Sequence, residues 1–233
     1  LGLNSVSPFN PEKRIIEYMI AEGGNEPLAS MSVRGFIELV GARTSAPGGG
    51  SVSALIAAMG AGLGAMMGWM SYGTKKFEHI DSIMRQNIPP LHENMMKLIP
   101  MIDADTNAFT DYMMAMKLPK NTDEQKANRS RMMQEGLKKA INVPLDVMRI
   151  ADSCWPNMIE MAKHGNPSSG SDLAVGAKSL ETGIWGAKKN VEINLVQIED
   201  EKYKKAVVKE AGEIMKRAEK NLAEIEKILS AKE

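Results

Sequence analysis

Residues 44–74, TSAPGGGSVSALIAAMGAGLGAMMGWMSYGT, form a long stretch without a single charged side chain. Gly60, Gly64 and Gly68 recur at every fourth position, so in a helix they share one face and let neighbouring helices approach closely. Each glycine costs about 1 kcal/mol relative to alanine inside a helix, and close packing would offset that cost. Because the stretch is rich in Ala, Gly and Ser rather than strongly apolar, it predicts one helix buried in a bundle, not a transmembrane span.

The segments on either side also carry helical patterns. Ser30 or Ser32 can cap a short amphipathic helix. Its apolar positions are Val33, Phe36, Ile37 and Val40. Pro89–Pro90 are expected to mark the start of a longer helix, and Thr122 with Gln125 has the pattern of a capping box for the next one. With aromatic residues at 5% and 19 methionines, the composition favours packed helices over a β-sandwich or barrel. We therefore expect an all-α fold, a multi-helix bundle.

Charge and cysteine content limit the possible partners. The 29 Lys and Arg residues balance 29 Asp and Glu residues, so no dominant basic field exists for nucleic acid or anionic lipid. We expect no nucleic-acid partner and no membrane insertion. The single Cys154 excludes an intrachain disulfide and indicates a reducing compartment such as the cytoplasm. His79, His92 and His164 lie far apart in sequence, so we expect no metal site.

The first residues differ from the rest of the chain. Residues 1–27 contain several prolines and glycines around one short apolar run, so we expect a tail or interdomain linker there and a helical domain over residues 28–233. The first residue is Leu1 rather than Met, and no signal-peptide pattern follows it. We therefore expect this chain to be a segment of a longer protein.

One aspartate interrupts an apolar face. The helix expected after Pro90 has an apolar stripe at Leu91, Met95, Leu98, Ile102, Phe109, Tyr112 and Met116. Asp105 occupies the stripe position between Ile102 and Phe109, whereas Asp103 points to another face. A carboxylate in a packed face has a raised pKa unless it is paired, which suits a general acid or base. The alternative is a structural aspartate bonded to a helix terminus, an arginine or a lysine.

A polar stripe follows residue 171, on another predicted helix. It consists of small residues and amides, namely Asp172, Gly176, Ser179, Gly183, Gly186, Asn190, Asn194 and Gln197. These residues either form a groove wall that offers hydrogen bonds or permit close helix packing with internally bonded asparagines. At the start of the uncharged helix, the exposed N–H groups of Gly48–Ser51 either bind an anion or belong to a flexible hinge.

Five short motifs occur in order along the chain. They are Ala46-Pro-Gly-Gly-Gly-Ser51, Asp105-x-x-Ala-Phe109, Lys117-Leu-Pro-Lys-Asn-Thr122, Gly165-Asn166 with Ser171-Asp172-Leu173, and Asn190-Val-x-Ile-Asn-Leu195. Together they resemble the formimidoyltetrahydrofolate cyclodeaminase family. The resemblance implies an all-α bundle that dimerises, and it places the family's catalytic aspartate at Asp105. We expect the substrate-binding residues to be Pro47, Gly48, Gly49, Gly50, Ser51, Asn166, Ser171, Asp172, Asn190 and Asn194.

The resemblance also implies a reaction. The family closes 5-formimidoyltetrahydrofolate to 5,10-methenyltetrahydrofolate and releases ammonia, in histidine degradation and one-carbon folate metabolism. General acid/base catalysis by a carboxylate suffices for this chemistry, so we expect no metal and no other cofactor. We further expect the Gly48–Ser51 N–H groups to bind the carboxylate of the folate glutamate tail, and Lys117 or Lys120 to assist a polyglutamate tail.

The beginning of the chain resembles the end of a formimidoyltransferase. Its segments Leu1-Gly-Leu-Asn, Pro8-Phe-Asn-Pro11 and Arg14-Ile-Ile-Glu-Tyr18 imply a formimidoyltransferase domain in the same polypeptide, and a cytoplasmic homodimer or larger homo-oligomer. Two alternatives remain. One is a methenyltetrahydrofolate cyclohydrolase, and the other is a non-catalytic helical oligomerisation module, which the heptad-like apolar pattern after residue 201 would suit.

Overall fold

The computed structural model describes residues 26–232, and helices make up 82% of them. The α-helices are α1 (Val33–Val40), α2 (Gly49–Ser71), α3 (Asp81–Leu98), α4 (Met101–Met116), α5 (Asp123–Asp152), α6 (Trp155–His164), α7 (Gly170–Leu195) and α8 (Glu201–Ser230). Short 3-10 helices, Lys75–Ile80 and Pro167–Ser169, precede α3 and α7. No strand occurs within residues 26–232, which confirms the all-α prediction. The expected tail or linker lies almost wholly outside the described residues.

Helix α2 is the centre of the bundle and packs most extensively against α7 and α3. Glycines bring the backbones of α2 and α7 together. A Cβ atom added at Gly60 would lie 2.7 Å from the Gly176 carbonyl oxygen and 2.8 Å from the Leu180 nitrogen. A Cβ at Gly183 would likewise meet Ala57 of α2 at 2.8 Å. The predicted close packing through small residues is therefore confirmed.

Helix α2 is also long and apolar enough to cross a membrane, by length and composition alone, and no other helix within residues 26–232 meets this test. In the structure, 61% of its most apolar 18-residue window is buried inside the bundle. Gly64 faces Met158 of α6, and Gly68 faces Ile88 of α3. The prediction of a helix buried in a bundle is thus confirmed.

Helix α1 begins as predicted but packs less than expected. Ser32 is its N-cap and accepts a hydrogen bond from the Gly35 N–H at 3.1 Å. Of its four apolar positions only Phe36 is buried, whereas Val33 and Ile37 are 77% and 63% exposed. An apolar spacing of three and four indicates a helix face, but it does not identify what covers that face.

Two of the expected helix boundaries differ in the structure. Helix α3 begins at Asp81 rather than at Pro89, so both prolines lie inside it. The expected single helix over residues 91–116 is divided at Pro100, the residue before α4. The start of α5 agrees with the prediction, because Thr122 and Gln125 form a complete capping box. Helix α5 then continues through Pro144 to Asp152.

Candidate functional site

Asp105 lies in a cavity of about 380 Å³ at the N-terminal end of α2. The cavity is bounded by the loop before α2, by α4, by α5 and by the last turns of α7. Its lining residues are Ser45, Ala46, Gly48, Gly49, Asp105, Thr106, Phe109, Tyr112, Ala140, Asn190, Ile193, Asn194 and Gln197. Asp105 is the one charged side chain among these described residues. The cavity is therefore weakly anionic and rich in hydrogen-bonding groups.

The first turn of α2 fixes the Asp105 carboxylate. The Ser51 N–H donates to Asp105 Oδ2 at 3.1 Å, and the Ser51 hydroxyl donates to the Ile102 carbonyl oxygen at 2.7 Å. Gly50 is required here because a Cβ atom at that position would overlap the Asp105 carboxylate. The Gly-Gly-Gly sequence thus lets the helix terminus approach α4 closely enough to hold its aspartate.

Burial raises the pKa of the Asp105 carboxyl above its ordinary value, and the hydrogen bond from the Ser51 N–H lowers that pKa by less. No lysine or arginine within residues 26–232 forms an ion pair with it or lines the cavity. Of the structural alternative, the described residues show the bond to a helix terminus, through the Ser51 N–H, but no arginine or lysine partner. A half-buried carboxyl with a raised pKa can take up and return a proton.

The same geometry bears on one expectation, which no bound ligand tests. We expected the Gly48–Ser51 N–H groups to bind the glutamate-tail carboxylate of a folate. The Ser51 N–H is instead used by Asp105, and a second carboxylate at this helix terminus would be repelled by the first. The positive end of α2 serves the protein's own aspartate.

Asn190 and Asn194 of α7 also line the cavity and present acceptors. Asn190 Nδ2 donates to the Gly186 carbonyl oxygen at 2.8 Å, and Asn194 Nδ2 donates to the Ala140 carbonyl oxygen at 3.0 Å. Because a carbonyl oxygen can only accept, these bonds determine which end of each amide is the NH₂ group. Each Oδ1 atom is left to accept from a ligand with N–H groups.

Eight of the lining residues were not among the predicted site residues, and two of these eight bond to each other. Tyr112 Oη donates to Gln197 Oε1 at 2.7 Å, and this pair links α4 to the residues after α7. Both carried a signal in the sequence, since Tyr112 belongs to the apolar stripe of Asp105 and Gln197 ends the polar stripe of Asn190. Thr106 also lines the cavity, 3.3 Å from the Ser51 hydroxyl.

The remaining predicted residues divide into two groups. Pro47 is buried next to the cavity-lining Ala46 and Gly48, at the same end of the bundle as Asp105. Asn166, Ser171 and Asp172 lie elsewhere, because Asp172 is 18 positions before Asn190 on α7, about 27 Å along the helix. The Asn166 N–H donates to Ser71 Oγ at the C-terminal end of α2. Within one chain, the structure does not bring these three residues to Asp105.

Comparison with known proteins agrees with the fold. Residues 32–213 match the family model described as formiminotransferase-cyclodeaminase. The chain belongs to this family. The formimidoyltransferase-cyclodeaminase of Dictyostelium discoideum is 56% identical over 232 residues, 99% of this chain and 42% of that protein. That of Gallus gallus is 46% identical over all of this chain and 43% of its own length. This chain thus spans less than half the length of these relatives.

Two proteins shorter than these relatives are also similar to this chain. A methenyltetrahydrofolate cyclohydrolase of Methylorubrum extorquens is 33% identical over 80% of this chain and 88% of its own length. The crystal structure of a formiminotetrahydrofolate cyclodeaminase from Thermotoga maritima superposes with a TM-score of 0.77 and 27% identity, covering 87% of this chain and 97% of that one. The helical domain therefore corresponds to nearly the whole of that crystallised chain.

Proposed function

We propose that this chain closes 5-formimidoyltetrahydrofolate to 5,10-methenyltetrahydrofolate with release of ammonia, and that Asp105 transfers the protons. The observation that carries the proposal is the Asp105 carboxylate, held by the Ser51 N–H in a cavity whose other described side chains are uncharged. Relatives that match over nearly the whole chain are named cyclodeaminases, which supports the same reaction.

The chemistry requires proton movement between two nitrogens. N10 of the folate attacks the protonated amidine carbon, and a C–N bond forms to give a tetrahedral centre. The Asp105 carboxylate takes the proton from N10 and gives it to the exocyclic nitrogen, which then leaves as ammonia. The substrate enters as a cation and the methenyl product leaves as a cation, so the proton only moves from N10 to the leaving nitrogen. No redox step occurs, and the proposed chemistry requires no metal.

The electrostatics of the cavity suit a cation. One carboxylate faces the amidinium, and Oδ1 of Asn190 and of Asn194 can accept hydrogen bonds from its N–H groups or from the pterin ring. A lysine or arginine in the lining would repel the cationic substrate and product, and none is found among the described lining residues. These fixed acceptors would stabilise the charge throughout the reaction.

Cyclohydrolase activity is the second candidate. It would use Asp105 to activate water for attack on the methenyl carbon. The identity of 33% to a cyclohydrolase supports it, but the relatives at 46–56% identity are named for the deaminase reaction.

The proposed partners follow from the same comparisons and from one surface. The longer relatives carry two activities in their names, so we propose that a formimidoyltransferase domain belongs to the same polypeptide, in the cytoplasm. Helix α2 exposes Met59, Trp69 and Met70, each at least half accessible, on an outer face without charge. This face favours a homodimer or larger homo-oligomer. Exposed Lys117 or Lys120 remains the proposed contact for a polyglutamate tail.

The test is a comparison of two substrates on the same purified protein. Ammonia release and methenyl formation from 5-formimidoyltetrahydrofolate are expected to exceed the hydrolysis of 5,10-methenyltetrahydrofolate. Faster hydrolysis than ammonia release would establish the cyclohydrolase instead. If the protein bound neither folate, both enzymatic proposals would fail, and the oligomerisation module would stand.

A further inference from the structure

One proline of the bundle removes a donor beside the candidate site. Pro144 lies inside α5 and is buried. Proline has no backbone N–H, so the carbonyl oxygen four residues earlier, that of Ala140, loses its usual helical donor. Ala140 lines the cavity that holds Asp105. A carbonyl group without a donor is therefore present on the cavity wall because of Pro144.

Asn194 of α7 provides the missing donor. Its Nδ2 group lies 3.0 Å from the Ala140 carbonyl oxygen. This bond fixes the amide with its NH₂ group toward α5, and Oδ1 remains as an acceptor. Asn190 offers a contrast on the same helix, because its Nδ2 bonds to the Gly186 carbonyl oxygen four residues earlier. The orientation of Asn190 is local to α7, whereas that of Asn194 depends on α5.

We propose that Pro144 is a positioning residue: by withholding an N–H from Ala140, it keeps that carbonyl available to Asn194 and so holds Asn194 Oδ1 as an acceptor for the folate. This inference rests on the proposed function for its effect on substrate, but the hydrogen bond itself can be tested without any substrate. An alanine at position 144 would restore the helical N–H, which would compete with Asn194 for the same oxygen. The amide of Asn194 would then rotate freely, and its acceptor would lose its fixed direction.

A proline inside a helix is destabilising, so the replacement should separate stability from binding. Pro144→Ala is expected to raise the melting temperature while raising the KM for 5-formimidoyltetrahydrofolate about two- to tenfold, the range for one hydrogen bond. The kcat should change little, since Asp105 is not disturbed. Pro90→Ala is the matched control, because Pro90 also lies inside a helix, α3, and is not among the residues that line the cavity. It should leave KM unchanged.

A double-mutant cycle distinguishes positioning from a general effect of the proline on α5. Asn194→Ala should raise KM by at least as much as Pro144→Ala, and the double variant should show no further rise. If the two increases in KM multiplied instead, Pro144 would act independently of Asn194 and the proposal would be wrong. An unchanged KM in a folded Pro144→Ala protein would overturn it as well.

A substrate-free measurement keeps this test separate from the proposed function. In the wild-type protein the side-chain NH₂ of Asn194, assigned in an amide NMR spectrum by its loss in Asn194→Ala, should exchange slowly with solvent. It should exchange faster in Pro144→Ala and remain slow in Pro90→Ala. Equal exchange in all three proteins would refute the role of Pro144, whether or not the chain proves to be a cyclodeaminase.

Discussion

Replacement of Asp105 by asparagine should remove most of the activity without weakening the fold. The asparagine keeps the shape of the side chain, and its Oδ1 can still accept the hydrogen bond from the Ser51 N–H. It cannot take a proton from N10, so the rate of cyclisation should fall by roughly two orders of magnitude or more. The KM should change less than kcat, because the Asn190 and Asn194 acceptors remain in place.

The stability of this variant follows from the sign of the pKa shift. Burial raises the pKa of Asp105 in the folded state above its value in the unfolded chain. Between these two pKa values the folded state binds more protons than the unfolded state, so stability falls as pH rises through this interval. At any pH above the folded-state pKa, each unit by which that pKa is raised lowers the free energy of unfolding by about 1.4 kcal/mol. The neutral amide has no such cost. The free energy of unfolding of Asp105→Asn should therefore equal or exceed that of the wild type at pH 5, and the difference should be larger at pH 8.

The assay pairs ammonia release under saturating substrate with urea unfolding at the two pH values. Ammonia release within a few-fold of wild type in a folded Asp105→Asn protein would refute the catalytic role. A variant that loses both activity and stability at pH 8 would show instead that the charge of Asp105 is structural. In the wild type, kcat/KM should decline on the acid side at a higher pH than an ordinary aspartate would give, and this decline should be absent from the residual activity of the variant.

Four other substitutions test the packing of the bundle and the proposed assembly. Asp103→Asn should lower the free energy of unfolding by about 1–3 kcal/mol while sparing kcat. The reason is that the buried Asp103 carboxylate accepts from the Leu28 and Ala29 N–H groups at 2.8 and 3.0 Å. Retained stability in urea unfolding would contradict this. Gly60→Ala should destabilise the protein by about 1–3 kcal/mol through overpacking against α7, whereas Gly212→Ala, where an added Cβ meets nothing within 4 Å, should stabilise it by about 0.5–1 kcal/mol. Met59→Glu on the outer face of α2 should convert a dimer to a monomer in sedimentation equilibrium, and a wild-type protein that is already monomeric at micromolar concentration would contradict the proposed assembly.

The sequence allowed Asp105 to be located because its signal was local. A polar residue in an otherwise apolar helical stripe is expected in a packed environment, and in α4, unlike α1, neighbouring helices do cover the stripe at Asp105. The environment of Asp103 was harder to anticipate. Its different face was predicted, but that face is also buried, against a segment 75 residues earlier in the chain. Which helix covers a given face depends on tertiary packing, and the spacing of residues carries no information about it.

The same limit explains the separation of the predicted binding residues. The polar stripe begins at Asp172, in the motif that also contains Asn166 and Ser171, and it ends at Gln197. A helix converts sequence separation into length at about 1.5 Å per residue, so two motifs on one long helix are far apart whenever they lie near its two ends. The resemblance to the family predicted that Asn166, Ser171 and Asp172 bind the substrate together with Asn190 and Asn194. The length of α7 separates these two groups within a single chain.

Two aspartates two positions apart on α4 show what distinguishes a structural carboxylate from a reactive one. Both oxygens of Asp103 accept backbone N–H groups, Oδ1 from Leu28 and Oδ2 from Ala29, so this side chain is fully used in fastening the residues before α1 to the bundle.

Asp105 accepts one N–H at Oδ2, and its Oδ1 has no hydrogen-bond partner within residues 26–232. One backbone donor is enough to orient the carboxylate but not enough to offset its burial, which is why its pKa is raised. A second fixed donor would favour the charged form and weaken Asp105 as a base. The capacity of Asp105 for proton transfer therefore depends on the absence of a second donor to its carboxylate. In the same way, the orientation of the Asn194 acceptor depends on the absence of a backbone N–H at Pro144.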